Sequence, residues 1–526
     1  DFDDLMMGSF GPEEYLRNQY VIRANGIDSV KINPNPRIQT PTAYDQFNIM
    51  QKIAFKAGAK TEIQYAFFYS ETSAFGRYDR LIRPRNNTLR SAEWNYGPQK
   101  WMMHQLQLQS RKWTPFYNSV TLNAAYQKFD ESRIDRDLNK PVRFTTEEQV
   151  NAVSVNLDLL KQIGRNKLFY GLEYVHNKVG SKGREFNIDN GTEKPGLSRY
   201  PDGSLWTSAA LYASYSHKLN EKLTMQAGAR YNLYALKSEF DTSLFKFPFQ
   251  KAEIRKGALT GSYGINCRPG KNWLFTANAS TGFRAPNVDD IGKIFESTPG
   301  SVIVPNPGLE AEYALNADLG VSKSIGEVFE ADASLFRSRL NNALVRRAFT
   351  FNGSDSIDYK GTLSRVEAVQ NAAVANVFGF QAGFKLNLPE GFSISSRITY
   401  TKGEEELDNG EKAPLRHAPP LFGTTRLQYS VKNLKVDFYA MYNSEVMNKD
   451  LAPEEQAKDY LYAKDADGKP YSPGWLTLNV KMTYQLNSYL NLNAGIENIG
   501  DIRYRPYSSG IVAPGRNFIL SLRGSF

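Results

Sequence analysis

A chain of 526 residues carrying a net charge of +9 suits several soluble domains or one large barrel, and its charge is dispersed instead of gathered in the blocks typical of nucleic-acid binders. Apolar residues make up 41% of it, yet mean hydropathy is -0.49 and no run approaches the roughly 18 continuous apolar residues of a spanning helix, which excludes a helical membrane protein. The lone Cys267 excludes an internal disulfide, and without CxxC, HExxH or a Cys/His cluster no structural zinc is expected.

The dominant signal is alternation of apolar and polar residues with period two, and the abundance of Tyr (30) and Phe (31) suits strands and interfacial aromatic girdles. In chain order it predicts 20 strands, at 13–23, 44–56, 60–73, 102–111, 117–129, 149–161, 166–178, 207–218, 223–236, 258–268, 272–283, 310–323, 328–347, 370–388, 392–403, 422–432, 435–445, 475–485, 489–498 and 517–525. In LTMQAGARYNLY, for example, Leu223, Met225, Ala227, Ala229, Tyr231 and Leu233 share one face, opposite Thr224, Gln226, Gly228, Arg230 and Asn232.

The connections alternate between very short and long. AGA, IGR, NE, PG, IG, PEG, KN and NS carry turn chemistry, while 74–101, 179–206, 284–309 and 446–474 are long and polar. An outer-membrane barrel has that asymmetry, with tight turns on the periplasmic side and long loops outside. An even count of strands places both termini on the periplasmic side. The last segment, RNFILSLRGSF, puts Phe518, Leu520, Leu522 and Phe526 on one face, as barrel C-terminal strands ending in an aromatic do.

The fold class expected is therefore all-β, a transmembrane antiparallel barrel occupying 1–526. Strands in a bilayer must close on themselves, because every backbone polar group needs a partner. Around 20 strands enclose a wide lumen, and barrels of 22 strands are plugged. No stretch here reads as a compact α/β plug, and DFDDLMMGSF has no signal-peptide pattern. The expectation is a barrel portion lacking its plug and one hairpin, 22 strands in the intact protein.

The phrases QTPTAYDQFNIMQKIAF, GRYDRL, AEWNYGPQKW, DESRIDRD, FYGLEYVHNKVGSKG, SRYPDGSLW, GFRAPNVDD, NPGLEAE, RHAPPLFG and GIENIGDIRYRPY, in this order, resemble the TonB-dependent outer-membrane receptors. They are most similar to the Bacteroidetes branch of iron-complex and haemoglobin receptors. The resemblance implies a plugged receptor importing a scarce nutrient, an iron complex such as a siderophore or haem. It also implies as partners TonB and its inner-membrane energy complex, through the absent plug, with outer-membrane lipid, lipopolysaccharide and a surface lipoprotein beside them. Cobalamin uptake, a structural barrel in a larger assembly and a passive pore are the alternatives.

No GxSxG, P-loop or GxGxxG appears, so neither an enzyme nor a cofactor is expected. KDADGKPY reads as a turn, since a calcium loop would need later acidic ligands, and no metal site is expected. Ligand contact is sought where external loops mix aromatic and cationic groups, which suit planar, anionic iron complexes. The candidates are Arg77, Tyr78, Arg80, Trp94, Tyr96, Arg199 and Tyr200, with Arg83, Arg85, Trp101 and Trp206 near them. His104, at the start of a descending strand, His176, at the end of an ascending one, and His417, in a loop, lie toward the external mouth, where an imidazole could hold haem iron. His217 falls near a periplasmic turn.

Two phrases, TGFRAPNVDD and VPNPGLE, flank the loop that follows the strand at 272–283. Gly and Pro explain them as two posts of one loop. In haem receptors with similar boxes a histidine stands between them; NVDDIGKIFESTPGSVIVP has none, so the boxes speak for the receptor fold more than for haem.

Overall fold

The computed structural model describes residues 2–525 apart from 244, 245, 248, 299, 360, 408 and 409, and of 297, 298 and 373 the backbone alone. The terminal Phe526 of the expected aromatic signal lies outside the described residues.

Nineteen strands form one antiparallel wall, in chain order: β1 (Gln46–Gly58), β2 (Thr61–Thr72), β3 (Lys100–Ser110), β4 (Ser119–Asp137), β5 (Val142–Ile163), β6 (Asn166–Asn187), β7 (Ser204–Lys218), β8 (Leu223–Glu239), β9 (Lys251–Cys267), β10 (Trp273–Arg284), β11 (Glu312–Ile325), β12 (Phe329–Ala348), β13 (Thr362–Asn387), β14 (Phe392–Glu406), β15 (Phe422–Val431), β16 (Leu434–Asn443), β17 (Trp475–Gln485), β18 (Leu490–Glu497) and β19 (Asn517–Gly524). Each pairs with its sequence neighbours in this series, so the ladder is continuous from β1 to β19. No described pairing joins β19 back to β1, and β1 is exposed along its whole length. No described helix is long and apolar enough to cross a membrane.

The outward face is the apolar one. Tyr231, Leu233, Leu319, Leu335, Phe518, Leu520 and Leu522 are each between 48% and 77% exposed, as side chains made for lipid should be. The connections at the short-turn end are tight, and Gly164, Gly326 and Gly391 take the positive φ values of 58°, 55° and 83° that short turns require.

Three sequence expectations are corrected. The segment 13–23 is not a barrel strand: Gln19–Ala24 pairs with Ile27–Ile32 in a separate hairpin, turned at Asn25 and Gly26 with φ of 52° and 79°. Asn-Gly between alternating residues is a strong hairpin signal, and it prevails over a membrane-length reading. The wall consequently begins and ends on strands running toward the short-turn side, so the even parity does not hold for it. Finally, no long loop separates β4 from β5: both continue as paired strands, joined by the turn 138–141.

The hairpin docks on that extension. Arg136 donates to both carboxylate oxygens of Asp28 at 2.6 and 2.9 Å, Asn139 N donates at 2.9 Å, and Arg23 adds a bond at 3.1 Å. The Arg136 bond foremost holds Asp28 down at about 2, although burial opposes it. Arg136 is itself 1% exposed, and its Nε reaches Glu93 at 2.9 Å, so the buried charge is fully partnered.

At the external end the inward face is no longer polar. Tyr234, Leu236, Ile254 and Ala258 point inward and pack against Val288, Ile291 and Leu309 of the loop 285–311, folding that loop into the mouth. A second small core, Ile294, Val302, Val304, Phe351, Val366 and Ala368, holds the strand Ser301–Val304, which runs parallel to residues 365–368 of β13.

Candidate functional site

The loop 73–99 supplies most of the site. It contains a one-turn helix, α1 (Tyr78–Leu81), a tight hairpin turned at Asn86 and Asn87, both with positive φ (50° and 61°), and the strand Ser91–Tyr96. That strand pairs with the upper end of β4, bringing Trp94 opposite Asp135 and Tyr96 opposite Arg133. The loop thus becomes part of the wall and holds its arginines in fixed places.

Arg77, Arg80, Trp94 and Arg199 line one external cavity of about 460 Å³. Nine cationic and four acidic side chains line it, a clear positive surplus. Several arginines are held by aromatic faces: Arg77 lies 4.9 Å from the Trp94 ring and 5.9 Å from Tyr96, Arg80 lies 6.0 Å from Trp94, and Arg133 lies 5.5 Å from Tyr96. Phe295 gathers three cations, Arg199 (5.3 Å), Lys293 (4.7 Å) and Arg346 (5.3 Å). Tyr200 stands behind Arg199, accepting a bond from its Nε at 3.0 Å and donating to Asp289 at 2.8 Å.

Part of this charge is neutralised within the site. Arg77 bonds Asp79 at 2.9 Å, Arg85 bonds Asp137 at 2.8 Å, and Arg90 is paired with Glu296. Arg83 is different. It is 5% exposed, lines the cavity, and forms no ion pair among the described residues. Burial lowers it to about 10, with Arg90 adding to the shift. Beside it, Nε of Arg80 and Nε and Nη1 of Arg133 are buried without an acceptor. Buried unpaired donors are costly, and an acceptor from outside would satisfy them.

Other candidates fall elsewhere. Tyr78 is 1% exposed beneath Arg17, 5.5 Å from its ring, and its phenol is pushed up to about 12 by burial; it is packing. His104 and His176 are corrected: both lie on the outward face. His104 shares its side of the wall with Tyr65, Phe67, Leu106 and Tyr126 and bonds the Tyr65 hydroxyl at 2.7 Å. His176 sits beside Tyr174 and Val153 and bonds Thr207 at 2.8 Å. Neither imidazole can reach a ligand in the mouth. His417 is in the external loop after β14, with φ of 63°, and burial with Arg416 beside it lowers its pKa below the ordinary value, leaving it neutral at neutral pH.

Next to the first cavity, across α1, a second of about 510 Å³ is lined by Arg77, Arg80, Arg83, Arg416, Lys458 and Glu455 among others. Glu455, 1% exposed, accepts from Tyr462 at 2.6 Å, Lys458 at 3.0 Å and Arg416 at 2.5 Å. In KDADGKPY, Asp465 accepts from the backbone of Asp467 and Lys469 at 3.0 and 2.8 Å, which is turn chemistry. Among the described residues no group of three or more His, Cys, Asp or Glu converges on a common point.

The two posts of the Gly/Pro loop are joined by one side chain. Arg284 of GFRAPNVDD donates to Asp290 at 2.7 Å and to Glu312, just beyond NPGL, at 3.1 Å. Asn287 and Asp290 form a capping box on α2 (Val288–Gly292). Arg90, Arg133, Arg184 and Phe295, all lining the cavity, were not among the sequence candidates. Arg133 stands in DESRIDRD, where alternating charge was the available signal.

Comparison with known proteins supplies the family. The profile of the family described as "TonB dependent receptor-like, beta-barrel" matches residues 24–499. Similar curated proteins include an iron-regulated outer membrane virulence protein of Vibrio cholerae (24% identical, 48% of this chain and 37% of the relative). Hemoglobin-haptoglobin utilization protein B of Neisseria meningitidis is 24% identical over 55% of this chain and 38% of its own. The chain thus spans less than half the length of these relatives. Among solved structures, the FrpB iron transporter of Neisseria meningitidis superposes with a TM-score of 0.67 at 15% identity over 99% of this chain and 75% of that one. The copper transporter OprC gives 0.72 at 14% identity over 92% and 72%. At these identities the superpositions speak for the fold alone.

Proposed function

Because the chain belongs to the TonB-dependent receptor-like β-barrel family, whose members lie in the outer membrane, we propose that it is the wall of a receptor that captures an anionic iron complex, a siderophore or haem, in the arginine-rich cavity and passes it inward under TonB drive. The observation that carries this reading is the arginine cluster at the external mouth, where Arg83 is buried with no ion pair among the described residues and Nε of Arg80 with Nε and Nη1 of Arg133 are buried without an acceptor. The names of the relatives, iron-regulated and hemoglobin-haptoglobin utilization, support iron as the metal. The sequence phrases support a place in the Bacteroidetes branch. Haem held through axial histidine is not part of the proposal, since His104 and His176 face outward and His417 is not among the residues that line the arginine-rich cavity.

The two free wall edges, β1 and β19, run in the same direction. Only an odd number of antiparallel strands can join them, and three would complete the 22 of plugged barrels. We therefore assign the remaining strands, the plug and the TonB contact to further segments of the receptor.

Calorimetry on the full-length receptor tests the reading, using a negatively charged ferric siderophore, a neutral one, haem and cobalamin. The anionic chelate should bind with micromolar or better affinity, and Arg83→Met should weaken it at least about tenfold, or 1.4 kcal/mol, without lowering Tm. Binding of the neutral siderophore or cobalamin alone, or unchanged chelate affinity in Arg83→Met, would overturn it.

A further inference from the structure

Adjoining the arginine-rich cavity is another of about 550 Å³ with different chemistry. The two have Arg184, Leu197, Ser198 and Ile294 in common among their lining residues, so only a short stretch of chain stands between them. Close backbone contact seats that stretch: the strand Glu193–Gly196 pairs with the upper end of β6, and a Cβ on Gly183 would collide with the Leu197 carbonyl. The site lies at the outer end of β6, beyond the height of an apolar band roughly 25 Å tall, so lipid does not account for its apolar lining.

Phe240 and Phe247, with ring centroids 5.2 Å apart, supply that lining together with Leu197, Pro201 and Ile294. Phe247 packs against both apolar clusters of the external end, which hold its ring in place. The end of α2 closes on the same space at Gly292, where an added Cβ would stand 2.6 Å from Pro201 Cδ. Three cationic and four acidic side chains surround this cavity, against nine and four in the first. Much of that charge is already engaged: Arg184 is paired with Glu147 and lies 3.5 Å from Glu193, and Asp202 accepts from the Ser181 backbone N–H at 2.9 Å. The surplus that draws an anion is missing here, whereas an apolar group that enters leaves water behind.

We propose that this second space takes an apolar arm of the imported ligand, so that the receptor selects amphiphilic anionic iron chelates. The charged chelating head lies among the arginines of the first cavity, and an alkyl or acyl arm crosses residues 197 and 198 to lie against Phe240 and Phe247. Leu197 and Ile294, common to both linings, mark the point where the ligand passes from cationic to apolar surroundings. The inference rests on the proposed capture of an anionic chelate and narrows its class.

Calorimetry on the full-length receptor in lipid nanodiscs reads the site, using ferric chelates that share one anionic head and carry either no arm or n-alkyl arms of increasing length. The armless chelate should bind, and each added methylene should raise affinity up to about fourfold until the space is full, after which affinity levels off. Phe247→Ser should cut the gain from the arm at least about tenfold and leave armless binding as in wild type, while Phe247→Leu should keep most of the gain. Affinity independent of arm length, with the armless chelate still bound, would overturn this inference alone. A gain unchanged in Phe247→Ser would place the arm in lipid or elsewhere on the receptor and overturn it as well. Binding by no member of the series would overturn the proposed function together with it.

Discussion

Glu455 shows how a single carboxylate can fix a loop. Burial pushes its carboxyl up, but the Tyr462 hydroxyl, Lys458 and Arg416 together hold it down at about 2, against an ordinary value of 4.5. A depressed carboxylate contributes stability that is fully present above its unfolded pKa and is lost as pH falls toward the folded one. Protease protection of the loop 444–474 should therefore be flat from pH 7 to about 5 and fall between about 4.5 and 2. Glu455→Gln should remove that pH step and expose the loop already at pH 7, because Arg416 and Lys458 are left facing an uncharged amide. A pH step surviving in Glu455→Gln would contradict the assignment. The histidines teach the complementary lesson about single residues. Height along a strand placed His104 and His176 near the mouth, but height says nothing about facing. Parity does: His104 shares it with Leu106 and Leu108, and His176 with Leu172 and Tyr174, all outward. That information was in the sequence and needed only the second coordinate.

At the scale of elements, Arg284 links both ends of the loop between β10 and β11. Its two carboxylate partners are Asp290, which also caps α2, and Glu312, which accepts from the Leu344 backbone at 2.5 Å. Arg284→Ala should leave the barrel strands intact while raising amide exchange across 285–311 at least several-fold, with the largest change at α2; uniform exchange would show that the apolar contacts of Val288 and Ile291 suffice. These contacts are substantial, since Ile291 is 0% exposed and its full burial contributes about 1.5 to 3 kcal/mol. Strands from β1 to β19 were legible because lipid on one side and polar groups on the other impose period two. Above the membrane that pressure ends. In β4, Arg133, Asp135 and Asp137 alternate with Ser132, Ile134 and Arg136, a stretch in which Ile134 is the one apolar residue, so pairing there is set by hydrogen bonds that hydropathy does not register. The reverse error arose at 13–23, where an apolar alternation belongs to a docked hairpin announced by Asn25-Gly26. Of the site, Arg77, Arg80, Trp94 and Arg199 were readable from composition of the loops. Arg133 and Phe295 were not, because what unites them is folding of distant loops into one mouth.

For the whole molecule, the positive surplus of the cavity predicts how capture depends on salt. Raising ionic strength from about 0.05 to 0.5 M shortens the screening length from about 14 to 4 Å. Association of an anionic chelate should slow several-fold over that range, and that of a neutral analogue should not, as stopped-flow quenching of tryptophan would record. Identical salt profiles would mean that the arginines do not steer. The tall wall formed by β5 and β6 bears on the same question in another way. From Asn166 to Arg184, a cavity-lining residue, a tilted strand rises about 45 Å, some 20 Å beyond the apolar band. The membrane's own surface is a sheet of fixed anions that would compete for the same guanidinium groups. At physiological salt a charge's field decays over about 8 Å, so the cavity stands more than two such lengths away. Under the proposed function the extension is a stand-off: it carries the cavity's arginines out of the reach of the membrane's negative layer, so that an arriving anion would meet guanidinium groups that the surface has not already claimed.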